Sequence, residues 1–103
     1  QLIHQIHNSN FEKLHIVFGM VKDKDIQPIL ALLPVNAIYY FTKAQNPRAL
    51  PENELWEKAK QYHLKGETYS KVTEALKAAT DQASEKDLIV VCGSVFVVAE
   101  VEM

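Results

Sequence analysis

Leu88-Ile89-Val90-Val91-Cys92-Gly93-Ser94-Val95-Phe96-Val97-Val98-Ala99 is the most apolar stretch of the chain, and the Gly93-Ser94 step divides it in two. The first half follows acidic Asp87 and shows no alternation of apolar with polar residues. Such a run cannot leave one face in water, so it predicts a β-strand covered on both faces, as in a parallel sheet. In the second half Val95, Phe96, Val97 and Val98 favour a strand by propensity alone. A buried parallel strand is nevertheless followed by a turn and a helix, and Ser94 is an effective N-cap, so Val95 to Val101 is expected to be helical. The glycine-serine step is then the place where a strand delivers a site.

Working outward, Leu14-His15-Ile16-Val17-Phe18-Gly19 is a short β-prone run ending in glycine. Lys22-Asp23-Lys24-Asp25 offers Asp23 or Asp25 as a helix N-cap, and Ile26, Ile29, Leu30 and Leu33 fall at helical spacing before Pro34. Asn36 to Thr42 supplies another strand, and a loop over Lys43 to Leu50 leads to Pro51, expected in the first turn of a helix with Glu52 and Glu54. In that helix Leu55, Ala59 and Tyr62 share a face, with Trp56 beside it. It is expected to end near His63 to Gly66, where glycine can take a left-handed cap. Ser70 is the expected cap of a further helix with an inward stripe of Val72, Ala75, Leu76, Ala79 and Ala83. Strands alternating with helices predict parallel pairing. The expected fold class is α/β: a three-layer sandwich with a mostly parallel sheet and helices on both faces.

The 103 residues are 48% hydrophobic and suit a single domain over 1–103. Eleven basic and thirteen acidic residues give a net charge of −2, which favours neither nucleic acid nor an anionic membrane as partner. No apolar segment approaches the roughly twenty residues that span a bilayer. The single cysteine, Cys92, reads as a small buried hydrophobe, which fits a reducing, cytoplasmic setting. Leu2, Ile3 and Ile6 already have helical spacing with no cap before them, so the chain is expected to start inside a helix, truncated at its amino end.

Phe18 to Asp25, then Asn46-Pro47-Arg48-Ala49, then Asp87 to Val101 together resemble the carboxy-terminal domain of folylpolyglutamate synthase / dihydrofolate synthase, within the Mur ligase superfamily. The resemblance covers nearly the whole chain, in order, and implies a Rossmann-like domain that helps bind glutamate and closes over a central ATP-binding domain. It implies ATP- and magnesium-dependent amide formation, in which a folate carboxylate is phosphorylated and the amino group of L-glutamate attacks the acyl phosphate. The charge on ATP calls for a phosphate-cradling glycine loop, a lysine and a metal. No Gly-x-x-x-x-Gly-Lys-Ser/Thr segment occurs here. ATP and Mg are therefore expected on a central ATPase domain of the same polypeptide, and the domain alone is expected to be inactive.

By this resemblance Lys22 is a candidate glutamate contact, in a loop after a strand end where sites gather in open α/β sheets. Ser94 and Phe96 resemble the segment that meets the incoming amino acid, and a helix start suits a carboxylate. Arg48, held by Pro47, and Asp25 mark a candidate anion-binding position. His4 and His7 are one helical turn apart, but no third ligand lies near in sequence to complete a metal set. His15 and His63 read as a strand-edge residue and a helix-end cation, and Tyr39, Tyr40 and Phe41 as sheet packing. The competing reading is a free-standing flavodoxin-like or receiver-like binding module, which the α/β pattern alone also permits.

Overall fold

The computed structural model describes residues 12–93. The elements are β1 (Leu14–Gly19), α1 (Gln27–Leu32), β2 (Ile38–Phe41), α2 (Glu52–Lys60), β3 (Lys65–Thr68), α3 (Val72–Gln82) and β4 (Leu88–Gly93). The four strands form one sheet in the order β3-β2-β1-β4, and every pairing is parallel. Strand alternation sorts the side chains between two cores. Ile16, Phe18, Tyr39, Phe41, Val90 and Cys92 pack with Leu30 of α1 and with Leu55 and Ala59 of α2. Val17 and Tyr40 pack on the opposite face with Val72, Ala75 and Ala79 of α3. The expected three-layer α/β sandwich is thus observed.

Burial within the sheet differs from the expectation for Leu88 to Gly93. All six residues of β1 are buried, whereas in β4 only Val90 and Cys92 are. β1 lies between two strands, while β4 pairs with β1 alone among the described residues, so Ile89 and Val91 are only half covered. Tyr39 and Phe41 stack at 5.5 Å between ring centroids, consistent with sheet packing.

β3 replaces the glycine-capped helix end expected near residues 63–66. Lys65-Gly66-Glu67-Thr68 contains no large apolar residue and so carries no strand signature in sequence. It is an outer strand, and Gly66 is required by its close approach to β2, since a Cβ there would overlap the Tyr39 carbonyl. Trp56 secures it from α2 by donating its indole N–H to the Gly66 carbonyl at 3.1 Å. The left-handed cap falls on His63, with φ 63°. Leu64 N–H reaches Ala59 O at 3.3 Å and His63 N–H reaches Lys60 O at 3.1 Å, the paired bonds of a Schellman motif.

Two further caps differ. Pro51, with ψ 139°, precedes the first helical residue of α2 and occupies the N-cap. Lys71 is the N-cap of α3 and makes no side-chain cap bond, while the Ser70 hydroxyl donates to Glu74 at 3.1 Å. The helices expected over Gln1 to His7 and over Val95 to Val101, with His4 and His7, lie outside the described residues.

Candidate functional site

The carboxyl end of β1 runs through Gly19 into Met20 and Val21, and the loop after β2 returns beside it. Val21 and Ala49 form an isolated antiparallel bridge. Lys22 N–H donates to Arg48 O at 2.8 Å and Leu50 N–H donates to Met20 O at 2.8 Å. These bonds join two loops that are more than twenty residues apart in sequence. The Asn46 side chain shapes the second loop by accepting Arg48 N–H at 2.9 Å, a local turn that Pro47 helps to fix.

Lys22, Asp23, Lys24 and Asp25 are all exposed, as is Arg48. The Arg48 guanidinium donates through Nη2 to Asp23 Oδ2 at 2.8 Å. That hydrogen bond holds the Asp23 carboxyl below the usual carboxylate range, with help from a backbone hydrogen bond and the nearby Lys24 charge. The Lys22 ammonium has no hydrogen bond or ion pair with another described residue. Asp25 serves α1 by accepting Gln27 N–H at 3.3 Å, although Ile26 occupies the N-cap position itself.

β4 reaches the same edge. Gly93 pairs with Gly19 in register, and its φ of 115° suits glycine. A Cβ on Gly93 would overlap the Gly19 carbonyl, so the two strand ends meet where no side chain fits. Thr42 continues the β2 ladder by donating its N–H to Phe18 O at 2.9 Å. Its hydroxyl is buried and has no hydrogen-bond partner among the described residues. Ser94 and Phe96 lie outside the described residues.

Lys22 and Arg48 are therefore brought to one rim, beside the step that leads to Ser94. Asp23, read in the sequence only as a cap, is the residue that ties the two loops together. Its signal was the coincidence of a lysine-aspartate loop and a proline-arginine loop, each after a strand, although pairing between them is a tertiary fact. The rim offers a compact ammonium and a planar guanidinium, groups that suit carboxylates and phosphates. Among the described residues no group of three His, Cys, Asp or Glu side chains is placed to hold a metal ion.

The amino half of the sheet holds a second polar cluster. His15, expected at a strand edge, is 1% exposed in the interior strand β1. Its Nε2 lies 2.8 Å from Asp87 Oδ2 and its Nδ1 lies 2.8 Å from Tyr40 Oη. A carboxylate accepts only, so Nε2 donates; in neutral imidazole Nδ1 then accepts from the Tyr40 hydroxyl. Leu88 N–H bonds Lys13 O at 2.9 Å in the same region, at the amino ends of β1 and β4 and away from the Lys22 and Arg48 loops.

Comparison with known proteins supplies the family. The family described as Mur ligase, glutamate ligase domain, matches residues 1–95. The Escherichia coli dihydrofolate synthase/folylpolyglutamate synthase is 37% identical over 87 residues, covering 82% of this chain and 19% of that protein. Escherichia coli FolC in complex with DHPP and ADP superimposes with a TM-score of 0.82 at 30% identity, over 94% of this chain and 23% of that one. A bifunctional folylpolyglutamate synthase/dihydrofolate synthase with Mn, AMPPNP and L-glutamate bound gives a TM-score of 0.80 at 26% identity, over 96% of this chain and 24% of that one. The chain thus spans about a fifth of the length of the curated relative it matches. These matches favour the ligase reading over a flavodoxin-like or receiver-like module, and the chain belongs to the Mur ligase glutamate ligase domain family.

Proposed function

We propose that this chain is the glutamate-binding domain of an ATP-dependent folate:L-glutamate ligase of the folylpolyglutamate synthase / dihydrofolate synthase type. The observation that carries the reading is the joining of the Lys22 and Arg48 loops at the carboxyl edge of a parallel sheet, where open α/β folds bind ligands. The relatives support it: one of the similar structures is described with L-glutamate bound, and another with ADP.

In the proposed reaction the γ-phosphoryl group of ATP passes to a folate carboxylate, giving an acyl phosphate and ADP. The amino nitrogen of glutamate attacks the acyl carbon, and inorganic phosphate leaves as the amide forms. The contribution of this domain is to hold the amino acid by its carboxylates, so that its nitrogen meets the acyl carbon in a fixed orientation. Lys22, Ser94 and Phe96 are assigned to glutamate, and Arg48 to an anionic group, with Asp25 shaping the loop that carries Lys22.

Mg does not fit the described residues. Asp23 is engaged by Arg48 and Asp25 by the start of α1, so no free carboxylate set faces a cation. Nucleotide and metal are assigned mainly to the central ATPase domain of the same polypeptide, over which this domain closes, and the isolated domain is assigned no activity of its own. No helix among the described residues is long and apolar enough to cross a membrane.

The test is the native polypeptide carrying this domain, supplied with ATP, Mg, a folate acceptor and glutamate. Glutamate-dependent release of ADP and phosphate, with a folate product one glutamate heavier, is the expected result. A folded full-length protein that binds ATP but shows no glutamate-dependent turnover with any folate or pteroate acceptor would overturn the assignment.

A further inference from the structure

The Arg48–Asp23 pair is built differently from a structural salt bridge. The guanidinium side chain is 61% exposed and the carboxylate 60% exposed, and exposed pairs of this kind add little to stability. What holds the loops together is backbone: Lys22 N–H to Arg48 O, Leu50 N–H to Met20 O and the Val21–Ala49 bridge. The ion pair can therefore open without releasing either loop.

The guanidinium is also only partly used. Of the five N–H donors of arginine, Nη2 alone engages Asp23 among the described residues, whereas a carboxylate can take two in parallel. The surrounding charge favours an incoming anion. Lys22, Lys24, Lys43 and Arg48 oppose Asp23 and Asp25, leaving a net charge of +2 across the two loops. Glutamate, with two carboxylates and one ammonium, carries −1.

We propose that Asp23 is an exchangeable counter-ion of Arg48: its carboxylate occupies the guanidinium until a carboxylate of the incoming dicarboxylic amino acid replaces it. Asp23 is then a positioning residue that tunes how readily the rim accepts a carboxylate. The displaced carboxylate remains beside Lys24, whose charge it already feels. The inference rests on the glutamate-binding role proposed above and adds to it a competitor encoded in the chain itself.

The experiment uses the full-length ligase and compares Asp23→Asn, Asp23→Glu and Arg48→Gln. Initial rates are measured against glutamate and against ATP, with glutarate, a dicarboxylate lacking the amino group, as competitive probe. Removing a competing exposed ion pair is expected to lower KM for glutamate and the inhibition constant for glutarate by about two- to fivefold in Asp23→Asn. KM for ATP is the internal comparison and should not follow them. Asp23→Glu keeps the charge and should return both constants toward their starting values. Arg48→Gln should raise KM for glutamate, and adding Asp23→Asn to it should bring no further gain.

Unchanged or raised glutamate and glutarate constants in a folded Asp23→Asn enzyme would overturn the counter-ion role while leaving the ligase assignment intact. An unsubstituted enzyme that shows no dependence on glutamate would instead overturn that assignment, and the present inference with it.

Discussion

Asp87 and His15 show how one buried contact makes stability depend on pH. The hydrogen bond from His15 holds the Asp87 carboxyl below the usual carboxylate range; burial opposes this, and Ser84 adds a backbone N–H at 3.2 Å and a hydroxyl at 3.1 Å. A depressed folded-state value means that the contribution is present above the unfolded pKa of about 4 and is lost as pH falls through the lower folded value. The urea midpoint should therefore drop between pH 7 and pH 3, and drop less in Asp87→Asn. Equal slopes in the two proteins would show that the contact carries no linkage. Cys92 illustrates the opposite effect of burial. It is 1% exposed, and loss of solvation pushes its thiol up to about 12. A thiol reagent at pH 8 should label it only on unfolding, because the thiolate is the reactive form. Rapid labelling of the folded protein would contradict that placement.

At the scale of elements, the informative failures are at β3 and at the start of α3. Periodicity finds strands by their apolar residues, and β3 has none of size; it exists because Tyr39 to Phe41 beside it need backbone partners and because Gly66 permits the approach. The chain turns into β3 through His63 in a left-handed conformation, which costs a side-chain-bearing residue about 1 kcal/mol relative to glycine. His63→Gly is accordingly expected to stabilise the domain by about 0.5 kcal/mol, after allowing for the greater freedom of glycine in the unfolded chain. A lower melting temperature in His63→Gly would mean that the imidazole contributes something the backbone geometry does not. At α3 the small residues Ala75 and Ala79 were legible as an inward stripe, yet the cap was not, since Ser70 turns to Glu74.

At the scale of the molecule, the parallel order β3-β2-β1-β4 places the ends of β1, β2 and β4 at a common edge. The loops after β1 and β2 converge there, and the glycine end of β4 meets Gly19. Lys22 and Arg48 are thereby separated from the His15 cluster, so the charged rim and the buried contact can be altered independently. On the proposed ligase assignment, Lys22→Ala and Ser94→Ala in the full-length protein should raise KM for glutamate by about tenfold, as expected for loss of one charge-assisted hydrogen bond, and change KM for ATP much less. Kinetics that shift for ATP and not for glutamate would move both residues out of the amino-acid site.

The sequence by itself determined the α/β class, the parallel pairing, the positions of β1, β2, β4 and α3, and the two loops that carry charge. Each of these follows from local rules of apolar periodicity and turn chemistry, which act over a few residues. It also singled out Lys22 and Arg48, because cations in loops after strands sit where such sheets bind ligands. Only the tertiary structure decided that β1 rather than the more apolar β4 is the buried strand, since burial depends on a strand's place in the sheet. It alone joined Asp23 to Arg48 across 25 positions and His15 to Asp87 across 72. A charged side chain in sequence has no partner until the fold brings one within hydrogen-bond reach, which is why the candidate site's residues were legible while their interactions were not.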